Sequence, residues 1–170
     1  EDAKVKAKQI DWEDVLMLCT GMLKAEPRAL AHVHSQYRFF TVDEYQDISK
    51  LQQELLDTWL GDRSDLCVVG DPNQTIYSFS GASASFLETF DSRYPGANVI
   101  SLTKNYRSTP EIISVANSVR GNQKFEPLEA IRPRGQVPEV LEFATKDQEC
   151  DWVASRIKDL LSSGLKASQI

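Results

Sequence analysis

Three short stretches of this 170-residue chain each place polar, reactive side chains directly after an apolar run. In the first, Val42-Asp43-Glu44-Tyr45-Gln46-Asp47, two carboxylates follow an aromatic and β-branched segment. An aspartate at a strand end can hold a hydrated Mg²⁺ that rides on nucleotide phosphates. The glutamate beside it can orient and deprotonate an attacking water, and Gln46 could sense that water or the phosphate. An Asp-Glu pair ahead of a helix also simply complements the helix dipole, so this segment by itself leaves both readings open. In the second stretch, Val69-Gly70-Asp71-Pro72-Asn73-Gln74 runs on to Tyr77 and Phe79. Gly70 permits a tight exit from a strand. Gln74 is an uncharged group able to hydrogen-bond a γ-phosphate. Tyr77 and Phe79, two apart, suit either the core or a platform for unstacked bases. In the third, Tyr106 and Arg107 stand between a strand and a helix start, where a guanidinium reaches phosphate oxygens and a phenol stacks on a purine. An arginine there also suits a surface ion pair.

The elements that must position these groups are readable from spacing. Trp12, Val15, Leu16, Cys19, Met22 and Leu23 recur at helical intervals behind Asp11, a capping residue. A second helix is predicted from Pro27 toward Gln36, then a strand over 37–42. Leu51, Leu55, Leu56, Trp59 and Leu60 mark a helix from Ser49 to a stop at Gly61. Leu66-Cys67-Val68-Val69 is wholly apolar, as in a strand buried on both faces of a parallel sheet. A short helix over 82–90, a third strand over 98–102 and a helix capped by Thr109 with Pro110 first follow. Residues 120–138 read as an irregular connection rich in Gly and Pro, near which a lobe boundary could fall. Val137 to Phe143 alternates like a strand, and Asp147 to Leu161 is an amphipathic helix closing at Gly164. Strand, loop and helix alternating three times predict an α/β fold with a parallel sheet.

Composition narrows the class. Apolar residues form 41% and charged residues 26%, the mix of a globular protein. The short apolar runs exclude a membrane span, and the opening Glu1-Asp2-Ala3-Lys4-Val5-Lys6 has no apolar core like that of a signal peptide. Cys19, Cys67 and Cys150 form neither a disulfide framework nor a metal motif, and Cys19 and Cys67 sit in apolar patterns that predict buried thiols. A reducing cytoplasm is expected. The net charge of −6 gives no basic face, so the chain alone is expected to bind DNA weakly or not at all.

In this order and spacing the three stretches resemble the superfamily 1 DNA helicases of the UvrD/PcrA/Rep family. Val42 to Asp47 looks like that family's motif II, Gly70 to Tyr77 like motif III, and Asn105 to Ser108 like motif IV. Ile10 to Leu16 resembles the acidic-apolar helix upstream of motif II. The resemblance implies a RecA-like P-loop NTPase motor fragment with a partial parallel sheet flanked by helices. Residues 1–104 would be the later part of the first motor domain and 105–170 the start of the second. It further implies that Asp43 ligates Mg²⁺ and Glu44 is the catalytic base. Gln74 would contact the γ-phosphate of ATP and couple it to DNA. Tyr106 would stack on adenine, Arg107 would act as an arginine finger, and Tyr77 and Phe79 would lie near single-stranded DNA. The parent would be an ATP-dependent 3′–5′ helicase and translocase on single-stranded and duplex DNA, acting in repair or replication. Two rivals remain at this point: a RecB/AddA-type helicase-nuclease subunit, and a catalytically inactive interaction module with a motor fold. Two departures stand out. Phe79-Ser80 replaces the Trp-Arg of many members, and no G-x-x-x-x-G-K-[S/T] loop occurs in the chain. The chain is thus expected to be an internal fragment, monomeric and inactive on its own.

Overall fold

The computed structural model describes residues 2–120 and 126–170. Residues 121–125, part of the expected irregular connection, lie outside the described residues. The chain forms two compact units, Glu1–Ile100 and Ser101–Ile170.

In the first unit a short helix α1 (Asp2–Ala7) precedes α2 (Trp12–Ala25), α3 (Pro27–Gln36) and α4 (Lys50–Leu60). Each start follows its local chemistry. Asp11 and Asp14 form a reciprocal capping box on α2, Pro27 opens α3, and Ser49 with Gln52 forms a second box on α4. Helix α2 packs on α4, and Thr20, Leu23, Leu55, Leu56 and Leu60 are buried. Trp12 and Met22, expected on the apolar face of α2, are exposed. Arg63 ties the C-terminal ends together. Its guanidinium donates to the carbonyls of Leu60 and Trp59 at the end of α4 and of His34 and Tyr37 at the end of α3. Those carbonyls have no partner within their helices. Gly61 ends α4 at φ +61°, and a Cβ there would come within 3.0 Å of the His34 ring.

Strands β1 (Phe40–Val42) and β2 (Leu66–Val68) pair in parallel, with Phe40 opposite Leu66, Thr41 opposite Cys67 and Val42 opposite Val68. Strand β1 is shorter than its aromatic run. Tyr37 and Phe39 remain exposed outside the ladder, while Phe40 stacks on Trp59 at 6.1 Å. Register explains a correction to the expected burial. Side chains alternate between faces, and the opposed pair Thr41 and Cys67 lies on a face that is exposed. Strand β2 is therefore covered on one side only, and the Cys67 thiol is exposed; Cys19 is half-buried. The helix expected over 82–90 is two short turns, α5 (Ser85–Glu88) and α6 (Phe90–Arg93), interrupted at Thr89.

The strand expected over 98–102 does not form, and Val99, Ile100 and Leu102 are exposed. An apolar β-branched run becomes a strand only where a neighbour supplies the ladder, and no neighbour does so among the described residues. In the second unit the strands are instead β3 (Lys104–Asn105) and β4 (Glu129–Ala130), again parallel. Helix α7 (Pro110–Arg120) begins at its proline, and Asn117 pins it to β4 by bonding both the N–H and the carbonyl of Leu128. The alternating segment 137–143 is not a strand, for the same lack of a partner. Helix α8 (Lys146–Ser162) is capped by Thr145, and Gly164 follows at φ +98°.

Candidate functional site

The end of β1 presents Asp43 and Glu44 by a specific device. The Val69 N–H donates to the carbonyl of Val42 at 2.8 Å, and the Val69 carbonyl accepts from the Tyr45 N–H at 2.9 Å. One residue of the neighbouring segment thus holds the chain on both sides of Asp43-Glu44, and the two carboxylates are looped out to solvent. The excursion requires a left-handed residue, and Glu44 supplies it at φ +51°, ψ +41°. For a non-glycine residue that costs about 1–2 kcal/mol. Asp43 Oδ1 accepts from the Glu44 N–H at 2.9 Å.

Tyr45 anchors the loop from beneath. It is fully buried, meets Phe90 edge-on at 5.8 Å, and donates its hydroxyl to Gln53 Oε1 at 2.6 Å. Burial pushes its phenol pKa up to about 12, and the nearby Tyr94 and Asp57 act in the same direction.

Gln46 is not where a group sensing bound water or phosphate would stand. It is 1% exposed. Its Nε2 donates to Glu44 Oε2 at 2.6 Å, and its Oε1 accepts from the Asp71 N–H at 3.0 Å. The amide therefore joins the carboxylate loop to the loop after β2. Gly70 is required there for space: a Cβ would lie 2.5 Å from Gln46 Oε1 and 3.2 Å from the Tyr45 nitrogen. Asp71 then organises its own turn. Oδ1 accepts from the Asn73 N–H and side-chain amide, and Oδ2 accepts from Gln74 Nε2 at 3.1 Å. Glu44, Gln46, Asp71 and Gln74 thus form one hydrogen-bonded chain, with Glu44 and Gln74 exposed at its two ends.

Beyond Gln74 the loop carries two aromatic rings outward. Tyr77 and Phe79 have centroids 6.2 Å apart, tilted by 57°, and are 49% and 86% exposed. They do not belong to the core.

Tyr106 and Arg107 belong to the second unit. Asn105, at the end of β3, accepts from the N–H groups of both Arg107 and Ser108, at 3.0 and 2.8 Å. This side-chain turn carries both residues outward: Tyr106 is 69% exposed and Arg107 is exposed. Behind it, Glu111 accepts from the Gly135 N–H at 2.9 Å, which holds its carboxyl below the usual range, with Arg134 adding to the effect. The turn at 70–73 is expected from Gly70-Asp71-Pro72-Asn73 and is found there. The bridging role of Gln46 and the turn-forming role of Asn105 were missed by sequence reasoning; Asn before Tyr-Arg at 105 is a turn signal that could have located the latter.

The looped-out carboxylate pair, the amide after the second strand and the exposed aromatic pair belong to a mixed α/β protein with small parallel sheets. The description of the UvrD/REP helicase N-terminal domain matches residues 1–95, and that of the UvrD-like helicase C-terminal domain matches residues 100–170. The chain belongs to the UvrD/REP helicase family. It is 42% identical over 167 residues to the ATP-dependent DNA helicase UvrD2 of Mycobacterium tuberculosis, covering 95% of this chain and 24% of the relative. It is 35% identical to the putative ATP-dependent DNA helicase YjcD of Bacillus subtilis, covering 96% and 22%. With the ATP-dependent DNA helicase PcrA of Staphylococcus epidermidis the identity is 32%, covering 95% and 22%. The chain spans about a quarter of the length of these curated relatives. No helix among the described residues is long and apolar enough to cross a membrane.

Proposed function

We propose that the chain is part of an ATP-dependent 3′–5′ DNA helicase and translocase that couples hydrolysis to movement on single-stranded DNA. Membership of the UvrD/REP helicase family carries this reading. The coupling part of it is supported by the hydrogen-bonded chain from Glu44 through Gln46 and Asp71 to Gln74, with Tyr77 and Phe79 exposed on the same loop. A group that activates water, a group that reads phosphate and a surface for bases then share one mechanical unit. The names of the relatives support the use of ATP and DNA. On this reading the stretch through residue 104 is the later part of a RecA-like motor domain, and 105–170 opens a second.

The family resemblance supplies the roles, and the exposure of these side chains is compatible with them. Glu44 takes the proton of the attacking water. Gln74 hydrogen-bonds the γ-phosphate, and Arg107 meets the charge that builds there in the transition state. Tyr106 stacks on adenine, and Tyr77 and Phe79 stack on bases. Asp43 is the residue for Mg²⁺. Among the described residues no group of three or more His, Cys, Asp or Glu could hold an ion. A single exposed ligand such as Asp43, with its neighbour Glu44 engaged by Gln46, suits a cation that keeps its waters and is carried by substrate phosphates. When bound, the ion neutralises phosphate charge. On this reading the chain alone is inactive, because its sequence holds no phosphate-cradling loop, and binds DNA weakly, because its net charge is −6. The test is ATP hydrolysis by the full-length protein with and without single-stranded DNA, together with unwinding of a 3′-tailed duplex. Hydrolysis that DNA does not stimulate, or unwinding only from a 5′ tail, would refute the reading.

A further inference from the structure

We propose that Gln46 is a positioning residue that transmits the state of the loop after β2 to the Glu44 carboxylate. This rests on the assignment of Glu44 as the group that activates water. The two ends of the Gln46 amide do different work. Nε2 donates to Glu44 Oε2 at 2.6 Å and reaches Asp47 Oδ2 at 3.5 Å, while Oε1 accepts from the backbone of Asp71 at 3.0 Å. A primary amide is the side chain that offers a donor and an acceptor on one rigid plane. A carboxylate in its place would set acceptor against acceptor at Glu44, and an ammonium would set donor against donor at Asp71.

Burial makes the bridge stiff. Gln46 is 1% exposed, and Gly70 closes over it so tightly that a methyl group there would strike Oε1. The Asp71 carboxylate in turn grips the Asn73 backbone and the Gln74 side chain. A displacement of the loop driven by phosphate at Gln74 therefore reaches the Glu44 carboxylate through three hydrogen bonds, Gln74 to Asp71, Asp71 to Gln46 and Gln46 to Glu44, and DNA at the aromatic pair would act on the same loop. Glu44 itself offers little slack, since its backbone is held in the left-handed region between two bonds to Val69.

The test uses the full-length protein and two substitutions that enter from opposite sides. Gln46→Met keeps the length of the buried side chain and removes both bonds. Gly70→Ala leaves Gln46 in place but pushes on Oε1 from the loop. Steady-state ATP hydrolysis is measured with and without a saturating single-stranded oligonucleotide. For Gln46→Met the stimulated rate should fall by about 10- to 100-fold, the cost of a misaligned reacting group. The unstimulated rate should fall too, but by a smaller factor because no loop displacement is then being transmitted, and the KM for ATP should stay within about twofold. Gly70→Ala should shift the ratio of stimulated to unstimulated rate in the same direction by a smaller factor. That ratio does not depend on how much of a sample is folded, so a merely structural role leaves it unchanged. A ratio equal to wild type in both variants overturns the proposal while leaving the helicase reading intact. A wild-type protein whose hydrolysis ignores DNA defeats the helicase reading and this inference with it.

Discussion

Replacing Phe79 with alanine separates a ring that meets DNA from one that holds the fold, because the two roles demand opposite outcomes. Truncating a buried phenylalanine costs about 3–5 kcal/mol. Phe79 is 86% exposed, and its ring contact is with Tyr77 at 6.2 Å. With so little area withdrawn from water, the transfer term falls to roughly 0.2–0.4 kcal/mol. The tilted pair adds about 0.5 kcal/mol at most on so open a surface. The total stays below about 1 kcal/mol, or a melting shift of at most about 4–8 °C for a unit of this size. Binding should respond more strongly. A base stacked on an aromatic ring is worth about 1–3 kcal/mol, which is about a 5- to 150-fold rise in Kd. The assay is fluorescence anisotropy of a labelled single-stranded oligonucleotide with the full-length protein at fixed salt, since phosphate contacts make affinity salt-dependent. The salt slope should not change, because no cation is removed. Hydrolysis without DNA should be spared and its stimulation blunted. A Kd within twofold of wild type would refute the stacking role, and a large loss of melting temperature with normal affinity would make Phe79 structural.

Three further outcomes are expected. Glu44→Gln keeps the shape and the left-handed backbone but removes the base, so DNA-stimulated hydrolysis should fall about 10²–10⁴-fold with ATP binding by calorimetry preserved; near-normal turnover would remove Glu44 from that role. Arg107→Ala should slow hydrolysis by roughly 10³-fold or more while ADP affinity barely moves, and equal losses in both would recast Arg107 as an ion-pair residue. The Tyr45 phenol, raised to about 12 by burial against an ordinary value of 10.0, favours the neutral form in the fold. Its contribution, on the order of 2 kcal/mol, is fully present below pH 10 and lost as pH rises through 12. The tyrosinate absorbance of wild type minus Tyr45→Phe should titrate near the upper value, and a difference curve centred near 10 would show that the hydroxyl is not buried.

Helix starts were legible because their signals are local. Asp11, Pro27 and Ser49 each act on the first turn of the helix they precede, and the structure places α2, α3 and α4 there. Strands were legible only where a partner exists. Val42 and Val68 pair, whereas Asn98 to Leu102 and Val137 to Phe143 carry the same local pattern without a ladder. Conversely, Glu129–Ala130 is a strand with no apolar signature, made by its pairing with Lys104–Asn105. At the site, residue types and order marked the carboxylates, Gln74 and the aromatic rings. They could not show that Gln46 turns inward, because its two partners lie 2 residues before it and 25 residues after it. Its burial is a product of Gly70 packing, which appears only once the two loops are in contact.

The left-handed backbone at Glu44 also bears on how this position would evolve. Its geometry and its chemistry select for different residues. Glycine, asparagine or aspartate would take φ +51° more readily than glutamate. A lineage released from selection for hydrolysis would gain stability by drifting toward glycine there, with no compensating change elsewhere. On the proposed reading, glutamate is held at position 44 against the preference of its own backbone, so glycine there should raise stability while ending hydrolysis.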